Sequence, residues 1–439
     1  MFPKLRKAVL TESKHVFTTP SPAFTHDRIM LIKQFLGPSV VHLSLDVGNV
    51  SLEGTSLRLF TVLGMCSQLK VMQGEGLNDS EDVASAFSDS VCLWHDLEEL
   101  TCVSLNDTAL KHLASLKSFR RLDMDLPSYR IYSNPILAGL RDPGFPAIQS
   151  FRFRTLRGTL SDIAGLVDSL QPPQGRLSLL NFNALAYRVS ETSIITLGQS
   201  LASTFDTSTL VNLSITESGN SGLLFKIDDM RSLFPFRSLS SIDIDTRRAV
   251  GLDDVTLLQM TEAWPGLNSL VINELTGWTI QPRVTLRGLR DMLKKLPQLK
   301  KLTVAIDGDS VLAEDIKMKN LGHFSICRPF TLNLLDSRIT ASSVPEAAAF
   351  LADIFPHHGI GNCNCDIWSW SVDIHSQETL EPERREFDDD FQWDQVFQTV
   401  HIINQVGLMR SGKPLRYDSD GAYDSGGAYD SDGSSFSDE

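Results

Sequence analysis

A short motif, apolar-x-x-apolar-x-apolar, recurs along most of this chain and constrains its fold more than any other feature. It appears at Val40-x-x-Leu43-x-Leu45, Leu97-x-x-Leu100-x-Cys102, Phe119-x-x-Leu122-x-Met124, Ile148-x-x-Phe151-x-Phe153 and Leu177-x-x-Leu180-x-Phe182. It continues at Leu210-x-x-Leu213-x-Ile215, Leu239-x-x-Ile242-x-Ile244, Leu267-x-x-Leu270-x-Ile272 and Leu299-x-x-Leu302-x-Val304. Weaker copies start at Leu5, Leu69 and Leu321. From Val40 the copies advance by 29, 28, 22, 29, 29, 33, 29, 28, 32 and 22 residues. Alternating apolar residues put one face of a strand into a core, and a steady step makes that strand one part of a repeated unit.

The residues between the strands have helical spacing. Thr108 to Leu116 places Leu110, Leu113 and Leu116 on one side, with Asn106 or Asp107 as N-cap. Val255 to Trp264 follows Asp253-Asp254 in the same way, and Leu286, Leu289, Leu293 and Leu296 form a third stripe. Gly37-Pro38, Phe145-Pro146, Trp264-Pro265-Gly266 and Leu296-Pro297 stop a helix before the next strand. An ordinary α/β domain shares the alternation of elements but does not require the constant step. One strand and one helix per repeat of ~29 residues predict the long kind of leucine-rich repeat. The expected fold is an α/β leucine-rich-repeat solenoid, a horseshoe of about 11–13 strand–helix units. It should cover residues 1–375, followed by an acidic linker at 376–391, a capping helix at 392–410 and a disordered acidic tail at 411–439.

The net charge of −14 belongs to the end of the chain. Glu378–Asp394 holds eight acids against two bases, and Tyr417–Glu439 holds seven acids and no base. Residues 395–416 add three bases, which leaves −4 for the first 377 residues. That balance argues against nucleic acid as a partner, since phosphate binding needs clustered Lys and Arg. No apolar run reaches the ~18–20 residues of a membrane helix, and the start of the sequence lacks a signal-peptide pattern. Six cysteines in 439 residues do not suggest a disulfide framework. The chain is therefore expected to be intracellular, cytoplasmic or nuclear, with no membrane partner.

Trp94-His-Asp-Leu-Glu-Glu-Leu100 followed by Leu105-Asn-Asp-Thr-Ala-Leu-Lys-His-Leu-Ala-Ser-Leu116 resembles the leucine-rich half of fungal F-box proteins. Phe145-Pro-Ala-Ile148 and Trp264-Pro-Gly-Leu-Asn-Ser-Leu270 are similar to the repeat junctions of that family, and the resemblance spans about residues 1–375. It implies a ubiquitin-ligase component whose repeats select substrates while an N-terminal F-box docks on a cullin-ligase adaptor. Met1-Phe-Pro-Lys-Leu-Arg6 reads as a repeat junction with no F-box helices before it, so adaptor binding is expected only with an F-box upstream. A ubiquitin-independent scaffold or regulatory binding protein is the other reading.

The residues between the buried strand positions should face the concave side. They include Asp123, Asp125, Arg152, Arg154, Asn181, Asp243 and Asp245, with Asn273 and Thr303 further along. Either this face is simply solvated, or it is a protein-binding surface centred on Asp123, Asp125, Arg152 and Arg154, where Arg forks recognise carboxylates.

No catalytic constellation, metal site or cofactor site is expected. Gly407-x4-Gly412-Lys413 has phosphate-loop spacing, but Pro414 stands where a magnesium-binding Ser/Thr belongs. His357, His358, Cys363 and Cys365 are zinc-ligand types in an unsuitable spacing, and Cys365-Asp-Ile-Trp reads better as a strand. The buried-type aromatics Trp94, Trp264, Trp278, Trp368 and Trp370 read as core rather than as a stacking platform. In the tail Tyr-Asp-Ser recurs at Tyr417, Tyr423 and Tyr429, and Ser435 and Ser437 stand in the acidic context of phosphorylation by acidophilic kinases.

Overall fold

A computed structural model describes residues 5–11, 33–46, 60, 62–75, 81–127, 135–138, 144–219, 222–310, 325–326, 328–356, 365–368 and 386–410. Its centre is a parallel sheet of 13 strands whose spatial order is their order in the sequence. The strands are β1 (Lys7–Thr11), β2 (His42–Asp46), β3 (Val71–Glu75), β4 (Glu99–Cys102), β5 (Arg121–Leu126), β6 (Ser150–Thr155) and β7 (Asn181–Ala186). They continue as β8 (Asn212–Glu217), β10 (Ser241–Thr246), β12 (Ser269–Ile272), β13 (Lys301–Thr303), β14 (Phe330–Asn333) and β15 (Cys365–Trp368). Two short strands, β9 (Leu224–Phe225) and β11 (Ala249–Val250), pair separately. No strand is inserted between sequence neighbours, which is the topology of a solenoid-like repeat.

The apolar motif explains this architecture. Leu43, Met72, Leu100, Leu122, Phe151, Phe182, Leu213, Ile242, Leu270, Leu302 and Leu332 occupy matched register positions and are at most 2% exposed. Each therefore lies against its counterpart in the next unit at the inter-strand spacing of about 4.8 Å. Aromatic side chains thicken the middle of this row: Phe151 packs on Phe145, Phe153 and Phe205, and Phe182 on Phe153 and Phe205.

The helices described in full are α1 (Glu81–Val91), α2 (Asp107–Ser115), α3 (Leu160–Ser169), α4 (Ser193–Thr204), α5 (Ile227–Arg231), α6 (Asp254–Ala263), α7 (Leu286–Lys295), α8 (Val344–Ile354) and α9 (Glu386–Arg410). Their buried residues join one core cluster with the inward strand residues, so they cover one face of the sheet. The expected caps form: Asn106 accepts from the Ala109 N–H at 2.9 Å and Asp253 from the Thr256 N–H at 2.9 Å. Links between units add to the stacking. The Asp254 carboxylate accepts from Thr285 N and Oγ1, both at 2.7 Å, and Asp309 accepts from Thr340 N and Oγ1, both at 2.8 Å. Each acid thereby fixes the chain entering the next unit's helical segment. A Cβ at Gly288 would collide with the Asp254 carboxylate, so glycine is required at that contact.

Three details differ from the sequence reading. In and just before β7 the core positions are Leu179, Phe182 and Ala184, while Leu180 is exposed. Leu177 leaves the motif to bridge Phe205, so the frame moves two residues while the inward parity stays. The weak copy starting at Leu321 begins outside the described residues, and Leu302 pairs with Leu332 of β14. Helix α9 starts at Glu386, within the stretch assigned to the acidic linker. Its Trp393 donates to Ser337 O at 3.0 Å and its Asn404 to Phe355 O at 2.9 Å, and Trp393, Val396 and Val400 are buried against the core. Residues 411–439, including Ser435 and Ser437, lie outside the described residues. No helix among the described residues is long and apolar enough to cross a membrane.

Candidate functional site

Strand parity sends every second side chain away from the helices; from β4 to β10 most of these are polar and partly exposed, whereas Val271, Thr303 and Asn333 further along are buried. On β4–β6 the charges alternate between neighbouring strands. Asp123 is in register with Arg152, and Asp125 with Arg154. Arg154 Nε lies 2.7 Å from Asp125 Oδ1, Arg154 Nη2 3.4 Å from Asp123 Oδ1, and Arg152 Nη1 3.8 Å from Asp123 Oδ2. Arg121 approaches Glu99 at 3.9 Å one strand back. The four residues singled out from sequence thus form one cluster, in which the aspartates are the arginines' first partners. Arg152 keeps half of its side-chain surface in solvent.

The next two strands carry an amide ladder. Asn212 Nδ2 donates to Asn181 Oδ1 at 2.6 Å, and Asn181 Nδ2 donates to Gln149 O at 3.3 Å. Asp243 and Asp245 follow on β10, and here acids face acids. Burial pushes the Asp245 carboxyl up to about 6, and the charges of Asp243 and Glu274 push in the same direction against Arg247. Asp243 is also raised, by burial and then by Glu274, with Lys301 opposing. Lys301 Nζ spends its charge on Glu274 Oε2 at 2.9 Å.

Asn273 and Thr303, expected on this face, are buried. Asn273 takes a left-handed backbone (φ 55°) and turns its amide inward. Its Oδ1 accepts from Thr246 N at 2.8 Å, and its Nδ2 donates to Arg248 O at 3.0 Å and Gly277 O at 3.2 Å. It closes the bend after β12 rather than serving a ligand.

Beyond the strand ends lies a rim that the sequence reading overlooked. Directly below it Arg248, 1% exposed, holds Glu217 Oε2 through Nε at 2.8 Å, and Ser190 O and Ser193 Oγ through Nη2 at 2.7 and 2.9 Å. Ser193 Oγ donates to Glu217 Oε1 at 2.6 Å, and Arg248 Nη1 is 3.7 Å from Asp229 Oδ1. Burial raises both carboxyl groups from their ordinary values, while the arginine opposes it. On the rim itself Leu156–Arg157 and Tyr187–Arg188 stand side by side, one residue past the paired Thr155 and Ala186. The Tyr187 N–H donates to Thr155 O and the Arg188 N–H to Gly158 O, which holds the two turns together. A Cβ at Gly219 would approach within 3.0 Å of Tyr187 O, so the β8 turn presses on the same segment. Two strands on, Arg247 follows β10 and Leu275 follows β12, both exposed, and the Leu275 backbone N–H draws the Asp245 carboxyl down against its burial. Leu156, Tyr187 and Leu275 are 60%, 46% and 75% exposed. The available signal was an apolar–Arg pair recurring 31 residues apart, at Leu156 and Tyr187, just after each motif.

Other sequence motifs fall elsewhere. Gly407 is inside α9, and Gly412 and Lys413 lie outside the described residues. Cys365 is on β15, while His357, His358, Cys363 and Trp370 are outside. Among the described residues no three His, Cys, Asp or Glu side chains are grouped to hold a metal ion. Trp94, Trp264 and Trp278 are core residues. A cleft of about 450 Å³ lined by Phe60, Gly64, Met65, Ala86, Asp89, Ser90 and Leu93 lies against α1 and has one charged side chain, Asp89. The sequence matches no protein-family model and no curated protein.

Proposed function

We propose that this chain is a non-catalytic, intracellular protein-interaction module, a leucine-rich-repeat horseshoe whose concave side is the polar sheet face. Helix α9 is its C-terminal cap, since a solenoid must cover its last hydrophobic layer. The observation that carries the reading is the face itself: a row of half-exposed Asp, Arg and Asn side chains on a rigid sheet. Such a surface orders few side chains on binding, and its charged groups favour a partner with matching charges. The reading requires neither cofactor nor metal.

Within that reading the resemblance to F-box proteins favours substrate recognition for a ubiquitin ligase, with a cullin-ligase adaptor as second partner wherever an F-box is joined to the repeats. A ubiquitin-independent scaffold is the alternative. Quantitative affinity purification of the tagged chain from its source organism separates them. Stoichiometric adaptor and cullin support the ligase role. A reproducible partner recovered without them supports the scaffold, and recovery of nothing above a tag control contradicts both.

A further inference from the structure

Past the ends of β6 and β7 an exposed apolar side chain is followed by an exposed arginine, Leu156–Arg157 and Tyr187–Arg188, and past β10 and β12 the exposed Arg247 and Leu275 add one more side chain of each kind. Arg157 and Arg188 have no ionic partner among the described residues, in contrast to Arg154. The acids nearest in sequence are Asp162, which accepts from the Thr159 N–H, Glu191, and Asp245, the last partly engaged by Arg247. A ligand complementary to this row alternates aromatic or apolar groups with carboxylates.

The same chain contains such a ligand. Tyr417-Asp418, Tyr423-Asp424 and Tyr429-Asp430 place a ring beside a carboxylate three times within a stretch of seven acids and no base. Geometry permits contact in cis. Seven inter-strand steps separate β15 from β6, a distance of roughly 34 Å along the sheet. Residues 411–439 follow directly on α9 and reach up to about 95 Å when extended.

We propose that the acidic segment Tyr417–Glu439 docks in cis across this rim, with rings on Leu156, Tyr187 and Leu275 and carboxylates on Arg157, Arg188 and Arg247. The chain thereby covers one edge of its own binding face until an acidic partner displaces the segment. This rests on the reading of the face as a protein-binding surface. A tethered segment acts at an effective concentration of order 1 mM, so it shields the rim from free peptide of moderate affinity.

The test uses the full chain and a fluorescent synthetic peptide of residues 417–439. The tail-neutralised variant D418N/D420N/D424N/D430N/D432N should bind the peptide at least tenfold more tightly than wild type, because its own segment no longer competes. Adding R157Q/R188Q/R247Q to that variant should abolish binding, with unchanged circular dichroism and melting temperature as the fold control. Equal affinity of wild type and the tail-neutralised variant would overturn docking in cis. Binding that survives loss of the three arginines, or no binding to any variant, would overturn the rim as the site. Preference of the rim for an oligonucleotide over the peptide would also overturn it. None of these outcomes bears on which partners the tagged chain recovers in affinity purification, so the two readings fail separately.

Discussion

Two arginine–carboxylate clusters stand on neighbouring parts of the same array and differ chiefly in water. Arg248 is sealed beneath the rim at 1% exposure, with Glu217 buried and Asp229 nearly so. Arg154 sits on the open sheet face at 28% exposure, between Asp123 and Asp125. In the first cluster the desolvation cost is already spent, and every guanidinium nitrogen has a protein acceptor or carboxylate nearby. Removing one member leaves a buried uncompensated charge. In the second, water competes with each contact, so the pair contributes little to stability. The first cluster is sealed within the fold, and the second is the one that the proposed function assigns to recognition.

The largest expected effect comes from breaking the sealed cluster. Arg248→Ala should cost about 3–5 kcal/mol in urea unfolding, because Glu217 and Asp229 lose their cation. The double replacement R248M/E217L should recover much of that loss. If Arg248→Ala costs no more than an exposed pair does, the contrast between the clusters collapses. Next is Asn273→Ala, which frees three buried backbone groups and removes a side chain tolerant of positive φ. We expect about 2–3 kcal/mol, against less than about 0.5 kcal/mol for Asn181→Ala on the exposed ladder. Equal costs for the two asparagines would show that burial is not what separates them.

Smaller is the effect of pH through Asp245. Its folded-state pKa of about 6 lies above its ordinary value of 3.8, so between those values the folded chain binds more protons than the unfolded one. Its contribution to stability is therefore greatest at low pH and declines as pH rises from about 4 to 6. Asp245→Asn should raise stability at pH 7 by a few tenths to about 1 kcal/mol after solvent screening and flatten that decline. Melting curves at pH 4.5, 6 and 7.5 check this, and a variant that tracks wild type at all three would remove the assignment. Smallest is Arg154→Ala, expected to cost under about 1 kcal/mol in the same unfolding assay.

How much of this could be read from the sequence follows from where each interaction lies along the chain. Strand parity, the Asn106 and Asp253 caps and the stripe of α7 are local, and periodicity shows them. The pairing of Asp123 and Asp125 with Arg152 and Arg154 was within reach because one repeat step separates them. The frame of β7 was ambiguous because Leu177, Leu179 and Leu180 all offer apolar side chains, and the Phe205 bridge decides among them. Phe330–Asn333 was not picked out because it carries only part of the motif, and its pairing with β13 identifies it. The Arg248 cluster gathers Ser193, Glu217 and Asp229 from three units, at separations that carry no local pattern. The turning of Asn273 into the core likewise depends on a backbone bend that its strand position does not announce.

The central claim is that the open charged face, not the sealed cluster, recognises protein. It is tested most directly by reversing both arginines, R152E/R154E, in the full chain and comparing recovered partners with those of wild type by quantitative affinity purification. The account predicts an unchanged fold by circular dichroism, a melting temperature within a few degrees of wild type and a loss of at least tenfold in the principal partner. An equally folded variant that recovers the same partners in the same amounts would contradict it.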